Sequence, residues 1–226
     1  MKKLFFSVLF ILLSFLHSNG QTFKPNDRWP YLLEDFSAGV IRMTDGTLLE
    51  NSKLNICIVD GKLHYIENGK VLAADMATVF SAKIKEEIFL QSMGKMMKVL
   101  SETENGAVLE LTSIDIEEMG KTEIGYGISS STASSTKLTG IVSAGGLINR
   151  DLSDLMSERA VGMEYPVKKS LYLLVGRKVF PADKSSASLY TGISEKEIKV
   201  FAKQNKIKWN KTESLIKIID FLNNHE

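Results

Sequence analysis

The sequence is poor in cysteine and histidine, has almost no excess charge, and each shortage excludes a class of protein. Its 226 residues contain one cysteine and three histidines. A single cysteine cannot form an intrachain disulfide framework or supply a Cys-rich zinc module. With 28 basic and 27 acidic residues, the net charge of +1 does not favour nucleic-acid binding through bulk phosphate neutralisation. The 44% of hydrophobic residues is typical of a globular protein.

The N-terminus has the pattern of a cleaved secretory signal peptide over residues 1–20. Lys2 and Lys3 precede an apolar stretch at 4–16, and the small residues of 18–20 lead to Gln21. The stretch is shorter than the roughly 20 apolar residues of a transmembrane helix. The only cysteine, Cys57, lies far beyond it, which excludes lipid anchoring through an N-terminal cysteine. We therefore expect an exported protein, periplasmic or secreted, with no membrane span after cleavage.

Residues 21–118 have the pattern of an antiparallel β-meander. Two-residue signals for tight hairpin turns recur at Asp45-Gly46, Asp60-Gly61, Asn68-Gly69 and Asn105-Gly106. Between and around these turns lie short β-prone runs at 39–43, 54–59, 62–66, 79–84, 96–100 and 108–116. A helical turn within 73–85 is the alternative for one of them. The turn spacing predicts a meander that curls into a roll or small barrel.

The rest of the chain divides into two parts. Residues 119–150 are rich in serine, threonine and glycine, which predicts a flexible loop because such a composition buries little apolar surface. Residues 151–226 predict further strands at 160–167 and 171–180, followed by a C-terminal helical hairpin. Ser194 and Glu197 form a capping-box pattern at the start of its first helix. The predicted fold class is thus mainly β (α+β), and whether 151–226 forms one domain with 21–118 is left open.

Three segments resemble a group of uncharacterised exported β-rich proteins of Gram-negative bacteria. They are Arg28-Trp29-Pro30-Tyr31-Leu32-Leu33-Glu34-Asp35-Phe36-Ser37, Asp60-Gly61-Lys62-Leu63-His64-Tyr65-Ile66 and Phe180-Pro181-Ala182-Asp183-Lys184. The resemblance implies export and a β-rich fold. It assigns no activity, because no catalytic or binding residue is established in that group.

One pair of residues is a candidate for chemistry. If Asp60-Gly61 is a two-residue loop, Cys57 lies opposite His64, with Ile56 opposite Tyr65 and Ile58 opposite Leu63. A thiol beside an imidazole can form a thiolate–imidazolium nucleophile or supply two metal ligands. The same register places Ala73 on the other side of His64, so no carboxylate is expected to orient the ring from there. We favour a buried structural cysteine with a hydrogen-bonded histidine.

The aromatic residues Trp29, Tyr31 and Phe36 are candidates for stacking on sugar rings, as in exported glycan-binding modules. Because they lie in an apolar segment, we favour the alternative that they plug one end of a β-roll core. The sequence predicts no metal site and no cofactor.

We expect an exported, non-catalytic binding or protein-interaction module of the cell envelope, because two mature histidines and one cysteine equip the chain poorly for catalysis. The partner is unknown, with an envelope protein or a glycan as the candidates and nucleic acid excluded. The alternatives are a secreted enzyme, either thiol-dependent through Cys57 and His64 or a hydrolase using carboxylates, and a structural envelope component that assembles through its strand edges.

Overall fold

A computed structural model describes residues 31–68, 70–115 and 166–225. Within them the chain forms ten strands and three helices. The strands are β1 Ser37–Met43, β2 Leu48–Ile56, β3 Leu63–Glu67, β4 Lys70–Ala73, β5 Val79–Ile84, β6 Glu87–Ser92, β7 Lys95–Thr103, β8 Gly106–Ile114, β9 Val167–Val175 and β10 Lys178–Pro181. The helices are α1 Lys184–Thr191, α2 Glu195–Gln204 and α3 Thr212–Asn223.

All ten strands belong to one antiparallel sheet. Its strand order is β10-β9-β8-β7-β6-β5-β1-β2-β3-β4. Sequential strands are neighbours throughout, except that β5 returns to pair with β1. The predicted mainly β meander with C-terminal helices is confirmed. The sequence left open a roll or a small barrel. The described sheet is not closed into a barrel, because β4 and β10 are its two edges.

The tight turns arise where the backbone adopts positive φ. Gly46 (φ 88°) and Asn68 (φ 50°) lie in two of the predicted turns, β1–β2 and β3–β4. Met93 and Gly94 join β6 to β7 with φ values of 53° and 73°, in a turn that contains no Asn-Gly or Asp-Gly pair. Lys85 likewise joins β5 to β6 at φ 54°. Non-glycine residues at positive φ are uncommon, so composition alone does not mark these two turns.

The predicted strand runs agree with the structure to different degrees. The run at 79–84 coincides with β5, and no helical turn replaces it. The run at 54–59 is wrong at both ends because β2 runs from Leu48 to Ile56. Strand β6 and the split of 171–180 into two strands were not predicted, and β4 was expected only through the pairing of Ala73 with His64. The signal peptide, the Ser/Thr/Gly-rich segment 119–150 and the run at 160–167, apart from Pro166 and Val167, lie outside the described residues.

Two hydrophobic clusters share one side of the sheet. In the first, α3 packs its apolar stripe of Leu215, Ile218, Ile219 and Leu222 against strand residues that include Val108 and Leu173, all of them fully buried. The second cluster lies over β1, β2, β3, β5 and β6 and has Phe89 and Leu54 at its centre. Fully burying each such side chain contributes about 1.5–3 kcal/mol, so these clusters hold the helices and the strands together.

Helices α1 and α2 begin with side-chain caps, whereas α3 follows Lys211 without one. The predicted capping box is confirmed, since the Ser194 hydroxyl accepts a hydrogen bond from the Glu197 backbone and the Glu197 carboxylate accepts one from the Ser194 backbone. Phe201 of α2 and Phe221 of α3 stack with their ring centroids 4.1 Å apart, which joins these two helices. Helix α1, capped by Asp183, was not predicted. At 12 residues, α3 is the longest described helix and is too short for a membrane span.

Candidate functional site

The segment that precedes β1 is tied to the end of β2. Tyr31 forms an isolated antiparallel bridge with Cys57. The Leu32 N–H donates to the Ile56 carbonyl at 2.8 Å. These contacts place the Tyr31 side chain, which is only 2% exposed, beside the loop that connects β2 to β3.

That loop spans residues 57–62 and is closed by backbone hydrogen bonds. The Cys57 N–H donates to the Lys62 carbonyl, and the Gly61 N–H donates to the Cys57 carbonyl, both at 2.9 Å. Gly61 has a φ of 75°, where a side chain would be strained. Its carbonyl accepts a hydrogen bond from the Met96 N–H at 2.7 Å, so the loop is also held by β7.

The predicted register of the β2–β3 hairpin is wrong by two residues. The structure pairs Ile56 with Leu63, Asn55 with His64 and Leu54 with Tyr65. Asp60-Gly61 does not form a two-residue loop, because the chain leaves the ladder after Ile56 and closes a six-residue loop instead. A displacement of two residues keeps every side chain on the same face, whereas a displacement of one would move it to the other. Cys57 and His64 therefore still lie near each other, although they are not cross-strand partners.

Four side chains meet at this point: Tyr31, Cys57, Asp60 and His64. The Tyr31 hydroxyl oxygen lies 3.3 Å from Nδ1 of His64. Nε2 of the same ring lies 3.4 Å from Oδ2 of Asp60. The sulfur of Cys57 lies within 4.8 Å of a ligand atom of Asp60 and of His64. We call these four residues the loop cluster.

Asp60 is the member of the loop cluster that sequence reasoning missed. The pairing of His64 with Ala73 is as predicted, and it offers no carboxylate. The carboxylate comes from the loop itself, four residues before His64. Oδ1 of Asp60 accepts a hydrogen bond from the Lys62 N–H at 2.9 Å, which fixes the side chain and aims Oδ2 at His64. An aspartate whose side chain accepts a hydrogen bond from the backbone of its own turn is a recognisable sequence signal. Its position beside His64 could be predicted only if the loop was known to be longer than two residues.

The electrostatics of the loop cluster keep its thiol protonated. Burial, together with the nearby negative charge of Asp60, raises the pKa of Cys57 to about 12. Burial also raises the pKa of Tyr31 well above its ordinary value. Burial acts to raise the pKa of Asp60, but hydrogen bonds with His64 and the Lys62 N–H outweigh it and hold that pKa below its usual range. At neutral pH the cluster has an ionised carboxylate and an uncharged thiol.

This arrangement does not supply an activated nucleophile. A reactive cysteine is a thiolate in an electropositive, partly exposed environment. Cys57 is 2% exposed and lies beside a carboxylate, which disfavours the thiolate. The cluster does contain three different donor groups. One ligand atom each from Cys57, Asp60 and His64 can be chosen so that all lie within 4.8 Å of one another.

The structure brings two of the three candidate aromatic residues, Tyr31 and Phe36, into contact. Tyr31 is buried, with its ring edge-on to Phe36 at a centroid distance of 4.6 Å. Phe36 is half-buried, and Trp29 lies outside the described residues. A buried Tyr31 ring offers no free face for stacking on a sugar.

An exposed apolar surface lies elsewhere, on the side of β2, β1, β5 and β6 opposite the cluster that contains Phe89 and Leu54. The pairing of Val40 with Lys83, and of Lys83 with Ile88, places these residues on one side of the sheet. The pairing of Arg42 with Leu48 extends the same side. We call this surface the outer strand face and define it by Val40, Arg42, Leu48, Phe80, Lys83 and Ile88.

The outer strand face presents large apolar side chains to solvent. Leu48 is 64% exposed, and Phe80 and Ile88 are 45% and 44% exposed. The guanidinium of Arg42 lies over the Phe80 ring, 5.2 Å from its centroid. A concave region of about 530 Å³ adjoins this face and is lined in part by Val40, Glu50, Lys83 and Lys85. Sequence reasoning missed this surface. Strict alternation in β5 would place Phe80 on the same side as the buried Ala82 and Ile84, but the register of β1 with β5 shifts between Arg42 and Met43 and leaves Phe80 exposed.

No family model, curated protein or solved structure matches the chain. The resemblance to exported β-rich proteins therefore stays a prediction from the sequence.

Proposed function

We propose that the protein is exported and acts as a non-catalytic binding or protein-interaction module of the cell envelope. The observation that carries this proposal is the outer strand face, where Leu48 of β2, Phe80 of β5 and Ile88 of β6 are exposed. Arginine and large aromatic residues are enriched in protein interfaces relative to other surfaces. Arg42 stacked on Phe80 supplies both at the centre of this face.

We further propose that the partner is an envelope protein with an apolar patch bordered by acidic residues. Among the described residues, Arg42, Lys83 and Lys85 are the cations of the face and its adjoining concave region, against the single anion Glu50. Complementary charge at the rim favours the correct partner and speeds association. A glycan is less well supported, because Tyr31 is buried and Phe36 is half-buried.

The edges of the sheet support assembly by strand addition less well. Each edge strand has only four residues, β4 Lys70–Ala73 and β10 Lys178–Pro181. Short edges that carry lysine or proline are typical of sheets protected against edge pairing. The outer strand face is therefore the better docking surface.

The thiol-enzyme alternative is poorly supported by the loop cluster. Cys57 is buried beside the carboxylate of Asp60, and both raise its pKa. No feature of the described residues favours a carboxylate hydrolase, for which two carboxylates would have to share a cleft.

Export is tested by recovering the protein from fractionated cells and determining its N-terminus. A mature form in the envelope or medium that begins at Gln21 supports export. A cytoplasmic protein that retains residues 1–20 contradicts it.

Docking on the outer strand face is tested by site-specific photo-cross-linking in the native envelope. The photoreactive residue replaces Leu48 at the rim of the face in one protein and Val200, an exposed position of α2, in the control. We expect the rim position to cross-link one defined protein that the α2 position does not. The double variant Phe80→Ser/Ile88→Ser should lose this product, whereas Leu189→Ser/Val200→Ser, which removes exposed apolar residues from the helices, should retain it.

Two results would contradict docking on this face. One is the absence of any product at the rim position under conditions that capture a known envelope complex. The other is equal loss of the product in both double variants. Circular dichroism of each variant shows whether the fold is intact.

A further inference from the structure

The loop cluster contains a donor set that soft and borderline metal ions prefer. Cys57, Asp60 and His64 offer a sulfur, an oxygen and a nitrogen within eight residues of sequence, and the chosen atoms all lie within 4.8 Å of one another. Thiolate and imidazole ligands select zinc-like ions, whereas calcium and magnesium prefer sites built only from oxygen. Two of the three residues, Cys57 and His64, are buried.

The spacing of these atoms is close to that of a tetrahedral site. With zinc–nitrogen and zinc–oxygen distances of about 2.0–2.2 Å, two ligand atoms of a tetrahedron lie about 3.4 Å apart. Nε2 of His64 and Oδ2 of Asp60 are separated by 3.4 Å. A zinc–sulfur bond of about 2.3 Å requires the sulfur to lie less than 4 Å from the other two ligand atoms. Two ligand atoms at the full separation of 4.8 Å would therefore have to move closer together by about 1 Å.

Neighbouring groups form hydrogen bonds that orient two of the three ligands, His64 and Asp60, as outer groups do in known metal sites. The Tyr31 hydroxyl occupies Nδ1 of His64, which leaves Nε2 as the nitrogen aimed at Asp60. The Lys62 N–H occupies Oδ1 of Asp60, which leaves Oδ2 for the same point. Metal-binding histidines almost always have their second ring nitrogen hydrogen-bonded in this way.

We propose that Cys57, Asp60 and His64 bind one zinc ion, with Tyr31 as the residue that orients His64 and water as the fourth ligand. Zinc binds the thiolate, so the ion displaces the proton of the Cys57 thiol, which passes to solvent. The ion fastens the 57–62 loop and the segment at Tyr31 to β3. This site is independent of the outer strand face and goes beyond the proposed function.

The test uses the full chain and cobalt(II), a spectroscopic substitute for zinc. One equivalent of cobalt should produce visible bands of tetrahedral coordination and a near-ultraviolet thiolate-to-cobalt absorption, and zinc should displace them. Asp60→Asn and Cys57→Ser each remove one ligand. Cys57→Ser should abolish the thiolate absorption, and Asp60→Asn should weaken binding by about tenfold or more.

Asp45→Asn is the matched control for Asp60→Asn. Asp45 also precedes a glycine, and its Oδ1 accepts a hydrogen bond from the backbone N–H two residues later, at 2.8 Å. The Asp45→Asn variant should bind cobalt and zinc as the unmodified protein does. Tyr31→Phe retains all three ligands but removes the hydroxyl from His64, so we expect about tenfold to hundredfold weaker binding with the thiolate absorption preserved.

The proposal is overturned if the folded, reduced protein gives no thiolate-to-cobalt absorption and does not bind zinc at micromolar concentration. It is also overturned if Asp60→Asn and Asp45→Asn bind zinc equally. Should Cys57→Ser fail to fold, the comparison of these two aspartate variants decides alone, because both residues lie in partly exposed or exposed turns.

Discussion

The side chain of Asn55 and the backbone of Leu33 are joined by two reciprocal hydrogen bonds. The Leu33 N–H donates to Oδ1 of Asn55 at 3.0 Å, and Nδ2 of Asn55 donates to the Leu33 carbonyl at 2.9 Å. Asn55 is completely buried on β2. This pair fixes the segment before β1 against β2, and two residues earlier the same segment places Tyr31 against His64.

Replacing Asn55 by alanine should lower the free energy of unfolding by about 2–4 kcal/mol, because both backbone groups of Leu33 lose their side-chain partner. Asn51→Ala is the control on the same strand. The Asn51 side chain accepts one exposed hydrogen bond, from the Lys53 N–H, so its loss should cost about 1 kcal/mol or less. Urea denaturation of the two variants measures both values, and equal losses would contradict the anchoring role of Asn55.

We expect position 39 to require glycine because a neighbouring strand packs closely against it, and not because of its backbone φ angle. A Cβ at this position would collide with the backbone carbonyl of Lys83 on the neighbouring strand β5. We expect Gly39→Ala to lower the free energy of unfolding by about 1–3 kcal/mol. Ala38→Ser, at the exposed neighbouring position, should change it by no more than about 0.5 kcal/mol. Thermal unfolding of the two variants checks this, and a Gly39→Ala protein as stable as the control would disprove the close contact.

Glu197 should make the start of α2 sensitive to acid. Hydrogen bonds from the Ser194 hydroxyl and the Ser194 backbone N–H lower the pKa of Glu197. Since the folded pKa lies below the unfolded pKa, the stabilisation is present above the ordinary glutamate pKa and is lost as pH falls through the folded value.

An NMR titration of the Glu197 carboxyl carbon measures this effect. In Ser194→Ala the pKa should return toward the ordinary glutamate value. In Glu197→Gln the amide shifts at 194–197 should no longer change over the acidic range. If Ser194→Ala leaves the Glu197 pKa where it is in the unmodified protein, the capping box is not the cause.

Local signals in the sequence predicted the turns and the helix cap whose formation depends on residues close together in the chain. Asp45-Gly46 and Asn105-Gly106 lie at real hairpin turns, and Ser194 with Glu197 caps a real helix. Asp60-Gly61 misled because its loop is fixed by a hydrogen bond from Met96, which is remote in sequence. The pairing of β5 with β1 is likewise a tertiary choice that no turn signal encodes.

The candidate site was predictable only in part, for the same reason. The proximity of Cys57 and His64 follows from strand alternation, which tolerates a register error of two residues. The contribution of Asp60 depends on the length of the loop, and that of Tyr31 depends on a segment anchored by Asn55. The exposure of Phe80 depends on the register shift between β1 and β5, and this is not a property of β5 alone.

Measuring the alkylation rate of Cys57 is the most direct way to distinguish a non-catalytic module from a thiol-dependent enzyme. The chain has one cysteine, so iodoacetamide consumption reports on Cys57 alone. With a chelator present near neutral pH, the folded protein should react at least about tenfold more slowly than a free-thiol peptide, because the thiol is buried and its pKa is raised to about 12. The same protein in urea, as its own control, should react at the peptide's rate. Reaction of the folded protein faster than the peptide would contradict the account and favour a thiol-dependent enzyme.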